Sequence, residues 1–392
     1  MKRIYLIIFI ITSTIYSYGQ SSIDGVLREV EANNPGLKAA AEEVEAQRMA
    51  NRSEALLENP EIEFNYLWGA EGIGGRHDLR VSQSFDIPTL TGMKSGRANY
   101  LDDLAFLGYK ARRQEVLLEA KLCCIDLVCC NAMLSELRTH LAQAKTLVES
   151  YEKRMKAGEA TILDLNKARI HQTSVQGKVS RTEVERQSLL SRLKTLNGGL
   201  DIAFDATDYD LGDDLPADFE TWFALAAEKS PMLGYVRKEV LLGQKQLAID
   251  RTARLPELSV GYMSEIRTAE KFRGVTLGVN IPLWSGAAKV RQSRARVAAA
   301  ESRQIAAEQE FYYKLSDLYN QAASLKANSE MMRASLRETD SREFLLSAQT
   351  KGEISMVDYL VETDLYYEAL EQTLEAEREY QHALANLGAA NL

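Results

Sequence analysis

The sequence predicts a mainly helical protein carrying membrane-type β-strands, built as a tandem repeat of helix, β-hairpin, long helix and helix. Three observations lead there. The chain is written twice. Each copy holds a pair of strands that are apolar on one face only. Each copy then enters a helix too long for the face of a compact globule.

The repeat comes first because a missed repeat misassigns the whole fold. Asn34-Pro35-Gly36-Leu37 matches Ser230-Pro231-Met232-Leu233, and the same offset carries Val44 to Val240, Pro60 to Pro256 and Tyr66 to Tyr262. After two residues are lost, a second offset holds to the C-terminus. It pairs Ile87-Pro88 with Ile281-Pro282, Gly92 with Gly286, Glu149 with Glu343, Gly158-Glu159 with Gly352-Glu353, and Asp164 with Asp358. Helical similarity alone does not keep proline, glycine and aspartate in register. The implied organisation is a targeting segment over 1–19, a first repeat over 20–198, an acidic linker over 199–218 and a second repeat over 219–392.

The targeting segment has three parts. Met1-Lys2-Arg3 is basic, Ile4 to Ile11 is apolar, and Ser13, Thr14, Ser17 and Gly19 are small or polar. That is the layout of a secretory signal peptide, with cleavage expected after Gly19. Its apolar run is about half the ~20 residues that a membrane-spanning helix needs, and no later stretch is longer. The mature chain is expected to leave the cytoplasm without a transmembrane helix.

In the first repeat, helix is expected from about Ile23 to Leu57. Alternation follows, with Ile62, Phe64, Tyr66 and Trp68 on one face. Beyond a turn at Glu71-Gly72-Ile73-Gly74-Gly75 it resumes with Leu79, Val81, Phe85 and Ile87, Gln83 being the polar exception. The second repeat gives Leu258, Val260 and Tyr262, then Val275, Leu277, Val279 and Ile281. Strands of this length and pattern suit a tilted outer-membrane strand. A half-buried hairpin on a soluble core is the alternative, but the neighbouring helices are far too long to cover two short hairpins.

From Arg97 to Lys156 there is no proline and one glycine, Gly108. A continuous helix there would be about 90 Å long. Val116, Ala120, Cys123, Leu127, Cys130, Leu134, Leu137, Leu141, Ala144, Val148, Tyr151 and Met155 step alternately by four and three. That seam predicts coiled-coil packing. Phe311, Leu315, Leu318, Ala322, Leu325, Ser329, Met332 and Leu336 repeat it in the second copy. Returning helices after Gly158 and Gly352 make each copy an antiparallel hairpin. The aspartates between the copies (Asp201, Asp205, Asp208, Asp210, Asp213, Asp214, Asp218) lack the spacing of a calcium loop and read as a solvated linker.

Composition excludes other classes. Hydrophobic residues are 45% and charged residues 26% of 392, with 7 prolines and 23 glycines, which rules out a collagen or a Pro/Gly-rich disordered chain. A net charge of −9 gives no bias toward nucleic acid. Neither a Gly-rich phosphate loop nor a nucleophile elbow is present, so no enzyme, catalytic residue or cofactor is expected. His77, His140, His171 and His382 fall on four different elements, and no metal site is expected from them. Cys123-Cys124 and Cys129-Cys130 resemble a soft-metal pair. However, Cys123 and Cys130 lie about 10.5 Å apart along one helix, too far to share a zinc or a disulfide. They sit where the seam otherwise holds Leu, Ala or Val, so they are expected to pack as small apolar residues.

Taken together, the signal segment, the duplicated units and the tips resemble the TolC family of outer-membrane efflux proteins. The motifs are Asn34-Pro35-Gly36-Leu37 with its second copy, Pro282-Leu283-Trp284-Ser285-Gly286, and the segments Gly158 to Asp164 and Gly352 to Asp358. The resemblance covers essentially the whole mature chain. It implies a homotrimer in the outer membrane of a Gram-negative bacterium, with a twelve-stranded β-barrel continued by a periplasmic α-helical barrel. It implies the exit channel of a tripartite efflux or type I secretion system, passively conducting substrates from an inner-membrane transporter through a periplasmic adaptor (membrane fusion protein). It places Asp358, with Asp164 beside it, at the periplasmic aperture, and Gly158, Glu159, Gly352 and Glu353 at the adaptor-docking tips. An aromatic residue and an arginine that latch the tip in some members are replaced by Gln349 and Ile354. Independently, four strands leave open edges that lipid does not tolerate, so oligomerisation is required in any case. The competing reading is a periplasmic coiled-coil adaptor or scaffold, which needs no alternating strands. For Asp164 and Asp358 it is a charge at a helix start.

Overall fold

The computed structural model describes residues 22–69, 74–209, 214–267, 270–283 and 285–392. The signal-type segment 1–19, residues 71–73 of the expected turn, Asp210, Asp213 and Trp284 lie outside the described residues. The first copy runs α1 (Ile23–Asn33), α2 (Pro35–Glu54), β1 (Glu61–Leu67), β2 (Arg76–Phe85), α3 (Ile87–Leu90), α4 (Met93–Lys156) and α5 (Ile162–Leu196). The second runs α6 (Phe219–Lys229), α7 (Pro231–Thr252), β3 (Glu257–Ile266), β4 (Lys271–Asn280), α8 (Ser285–Thr339), α9 (Arg342–Lys351) and α10 (Met356–Leu387).

The shared punctuation has a shared cause. Asn34 precedes a proline, which disfavours helical backbone, and it adopts φ −60°, ψ 117°. Its side chain accepts from the Leu37 amide at 3.0 Å. Ser230, at φ −61°, ψ 116°, does the same for the Leu233 amide at 3.3 Å. Asparagine and serine are interchangeable here because both are N-caps followed by proline at the first helical position. The single helix expected from Ile23 to Leu57 is therefore two helices, broken at Asn34, and the second ends at Glu54.

The chain divides into two compact units, and each draws on both copies. One comprises the described parts of 33–119, 213–330 and 379–392. Its sheet has the order β1-β2-β3-β4, antiparallel throughout. Ile62 pairs with Val81 and Phe64 with Leu79, then Val81 with Tyr262 and Tyr262 with Val275. One apolar face thus runs continuously across four strands. It is open: Ile62 is 70% exposed, Val275 73% and Leu277 80%. Gln83, on that face, sends its amide to the carbonyls of Glu58 (2.8 Å) and Ser84 (3.0 Å), which satisfies its polarity locally. The opposite face carries ion pairs, Arg80 with Glu63 and Arg76 with Glu265, both at 3.1 Å. Ile87 is not in β2 as expected; Asp86 caps the Thr89 amide and Pro88 starts the short α3. The outer edges of β1 and β4 have no strand partner among the described residues. In the same unit, Ala226, Leu315 and Leu387 form a core flanked by Phe219, Trp222 and Phe311.

The other unit comprises the described parts of 1–32, 120–212 and 331–378. Here the α4 seam is buried from Ala120 to Tyr151. Leu134, Leu137 and Leu141 pack on Val175 and Val179 of α5. The long second-copy helix is not continuous as its pattern suggested. Asp340 folds back on Arg342, accepting from its Nε at 2.9 Å and Nη2 at 2.8 Å, and this separates α8 from α9. The acidic segment is more ordered than a solvated linker. Asp201 and Asp205 are exposed carboxylates, yet Phe204 is fully buried. The Asn131 amide holds the Ala206 carbonyl at 3.0 Å, and Arg186 holds the Asp205 carboxylate at 2.7 Å. Among the described residues, no helix is long and apolar enough to cross a membrane, a criterion that does not bear on strands.

Candidate functional site

Both tips are built the same way. The Gly158 amide donates to the Met155 carbonyl at 3.1 Å, and the Glu159 amide to the Arg154 carbonyl at 2.8 Å. The Gly352 amide donates to Gln349 at 3.1 Å, and the Glu353 amide to Ala348 at 2.8 Å. These paired bonds close a helix through a left-handed residue, and the glycines have φ of +79° and +76°. Three residues beyond each glycine stands a hydroxyl N-cap. Thr161 accepts from the Asp164 amide and donates to the Asp164 carboxylate at 2.6 Å. Ser355 accepts from the Asp358 amide and donates to the Asp358 carboxylate at 2.6 Å. Asp164 also receives the Thr161 amide at 3.1 Å, completing a capping box.

The structure puts Asp164 and Asp358 in the first turn of α5 and α10, the helix-start position of the competing reading, and ties both carboxylates to capping hydroxyls. The hydrogen bond from the Thr161 hydroxyl, with the Thr161 amide, holds the Asp164 carboxyl below the usual aspartate range. Asp358 is exposed, as are Gly158, Glu159, Gly352 and Glu353. Beneath the tips lies a core of Leu147, Val148, Tyr151, Leu165, Ala168, Met356 and Tyr359. The two positions of the missing latch belong to that core. Gln349 is buried, its amide 3.4 Å from the Tyr151 hydroxyl, and Ile354 packs against the cluster.

All four cysteines are free thiols. Cys123 and Cys130 are buried, as seam packing required, Cys124 is buried as well, and Cys129 is half-buried. Burial raises the Cys129 thiol to about 11 and the Cys130 thiol to about 12. Burial also raises Cys124.

The histidines differ from expectation. They do lie on four elements, but α4 and α5 bring His140 and His171 face to face, with the two Nε2 atoms 3.1 Å apart. Tyr367 of α10 stacks on His140 at 3.8 Å with rings within 3° of parallel. The Asp364 carboxylate lies 3.8 Å from His171 Nδ1. His140 is 2% and His171 8% exposed. Burial, with His171 and Lys178 adding to it, lowers His140 to about 3, and burial likewise lowers His171. Both rings are thus neutral near pH 7. A signal existed for His171: it stands three after Ala168 and four before Val175, both buried seam positions of α5.

No protein-family model matches the chain, and no curated protein matches it in sequence. Solved structures do match in fold. The CmeC outer-membrane channel of Campylobacter jejuni aligns at a TM-score of 0.73 and 16% identity, over 94% of this chain and 85% of its own. A membrane protein of Pseudomonas aeruginosa aligns at 0.75 and 15% identity, over 94% and 93%. The open state of the MtrE outer-membrane channel of Neisseria gonorrhoeae aligns at 0.71 and 14% identity, over 94% and 88%. With its duplicated units, four-stranded sheet and paired helical tips, the chain has the TolC-type outer-membrane channel fold.

Proposed function

We propose that this chain is the outer-membrane exit channel of a tripartite efflux or type I secretion system. It conducts substrates passively from an inner-membrane transporter, across the periplasm and the outer membrane of a Gram-negative bacterium. The carrying observation is the sheet. Four antiparallel strands expose a continuous apolar face and leave the outer edges of β1 and β4 without a strand partner among the described residues. Lipid solvates such a face but not such edges, so neighbouring subunits must close them. Three chains supply twelve strands, enough for a conducting lumen. The shared fold with solved outer-membrane channels supports the same reading.

The tips are the proposed adaptor-docking surface. Ile162 (54% exposed), Leu163 (66%) and Val357 (49%) stand beside the capping residues and offer apolar contacts to a helical hairpin. Asp358, with Asp164 next to it, is proposed to line the periplasmic aperture. Three carboxylates gathered about one axis would attract cations.

The deciding experiment is crosslinking in native membranes, followed by fractionation. The channel reading expects a ladder that stops at three chains, in detergent-extracted outer membrane. A detergent-free monomer in the soluble periplasm rejects it in favour of a scaffold or adaptor.

A further inference from the structure

We propose that His140, His171 and Asp364 form a binding site for a four-coordinate divalent transition-metal ion of the zinc class. One donor atom from each of the three lies within 4.8 Å of the other two. The Nε2 atoms of the histidines are 3.1 Å apart. Ligands of a tetrahedral ion at metal–nitrogen distances of about 2.0–2.1 Å stand about 3.3 Å apart, so the two rings already approximate one edge of that tetrahedron. Asp364 is 64% exposed and its carboxylate stands 3.8 Å from His171 Nδ1, so its side chain has to turn toward the Nε2 side of the rings to complete the donor set. Two imidazoles and one carboxylate are a borderline donor set, which suits zinc, cobalt, nickel or copper over magnesium or calcium. The exposed side of Asp364 leaves the fourth position to water.

The ring of His140 is also held in place. Tyr367 stacks flat on the ring and fixes its plane, as a preorganised ligand requires. The site joins α4 and α5 of the first copy to α10 of the second, so a bound ion would staple the two copies together. This inference stands on the side-chain cluster and not on the channel reading.

The test uses the purified full chain in detergent, stripped with a chelator and titrated with Co²⁺ and Zn²⁺. One ion per chain is expected, with the visible absorption of tetrahedral cobalt and a raised melting temperature on adding Zn²⁺. His140→Gln or His171→Gln should weaken binding at least 100-fold, and Asp364→Asn about 10-fold. No binding to the wild-type chain, a thiolate-to-cobalt band in the near ultraviolet, or full binding by a folded His171→Gln variant would each overturn the site. If the histidine variants do not fold, crystals of the wild-type chain soaked in Zn²⁺ decide. An anomalous peak between the two rings supports the site, and its absence there overturns it.

Discussion

The Ser355 hydroxyl donates to the Asp358 carboxylate at 2.6 Å, and the Thr161 hydroxyl donates to Asp164 at the same distance. Duplication has kept a complete device: a left-handed glycine, a hydroxyl cap three residues on, and an aspartate three residues after that. The device explains both aspartates as helix-start residues. It does not neutralise their charge, so cap and charge have to be separated by mutation.

Ser355→Ala removes the cap and keeps the charge; Asp358→Asn removes the charge and keeps an oxygen that can accept. The first should lower helix stability by about 1 kcal/mol and leave ion selectivity alone. The second should weaken cation selectivity and block by multivalent cations in planar-bilayer recordings. Asp164→Asn should act in the same direction and less strongly. If selectivity and block are unchanged in Asp358→Asn, the residue is a helix-start charge and nothing more.

The tip glycines allow a cleaner backbone test. Nothing lies within 4 Å of a Cβ placed on Gly158 or Gly352, yet both have positive φ. Substitution by valine therefore costs backbone energy alone, about 1–2 kcal/mol at each tip. Gly108, in the interior of α4 and equally open, should show the reverse. Gly108→Ala should stabilise by about 0.5–1 kcal/mol. Helical melting followed by circular dichroism checks both signs, and adaptor crosslinking of the Gly158→Val, Gly352→Val double variant should fall while trimers still form.

Periodicity explains what the sequence could reveal. The α4 seam from Val116 to Tyr151 was readable because a 3.5-residue period has one burial solution, and all eleven of those positions are buried. Strand alternation was readable for the same reason, including Gln83 as an exception. Breaks were harder. The end of α1 at Asn34 was marked by Asn-Pro, but the gap between α8 and α9 depends on Asp340 meeting Arg342 and on Glu136 holding that arginine at 2.7 Å from 206 residues away. Such pairing has no local signature. The His140–His171 contact was hidden for the same reason: each ring is set by its own helix, and only the register of α4 against α5 makes them neighbours. The site expectations at the tips rested on motif position, and the capping bonds that hold them were implicit in Thr161-x-x-Asp164 and Ser355-x-x-Asp358.

The cysteines make a prediction about reactivity. With Cys129 raised to about 11 and Cys130 to about 12 by burial, thiolate at pH 8 is on the order of one part in a thousand or less. Native protein should react with a disulfide reagent such as DTNB far more slowly than free cysteine. The unfolded chain should release four equivalents quickly. Rapid reaction of two or more thiols in the folded protein would contradict the seam packing of α4.

The sheet supplies the sharpest contrast between neighbouring residues. Leu277 lies near the middle of β4 opposite Val260 on the apolar face, and Thr276 lies opposite Gly261 on the other. If the apolar face meets lipid, arginine at 277 brings a charge toward the hydrocarbon, at a cost of about 2–4 kcal/mol near the midplane. Arginine at 276 faces the side already lined by Arg76, Arg80 and Glu265 and should cost far less. Folding into lipid vesicles, followed by urea titration and by the gel shift of the folded barrel, measures the difference. Equal effects at 276 and 277 would mean that the apolar face does not meet the bilayer. A larger loss at 276 would mean that the inside and outside of the sheet have been assigned the wrong way round.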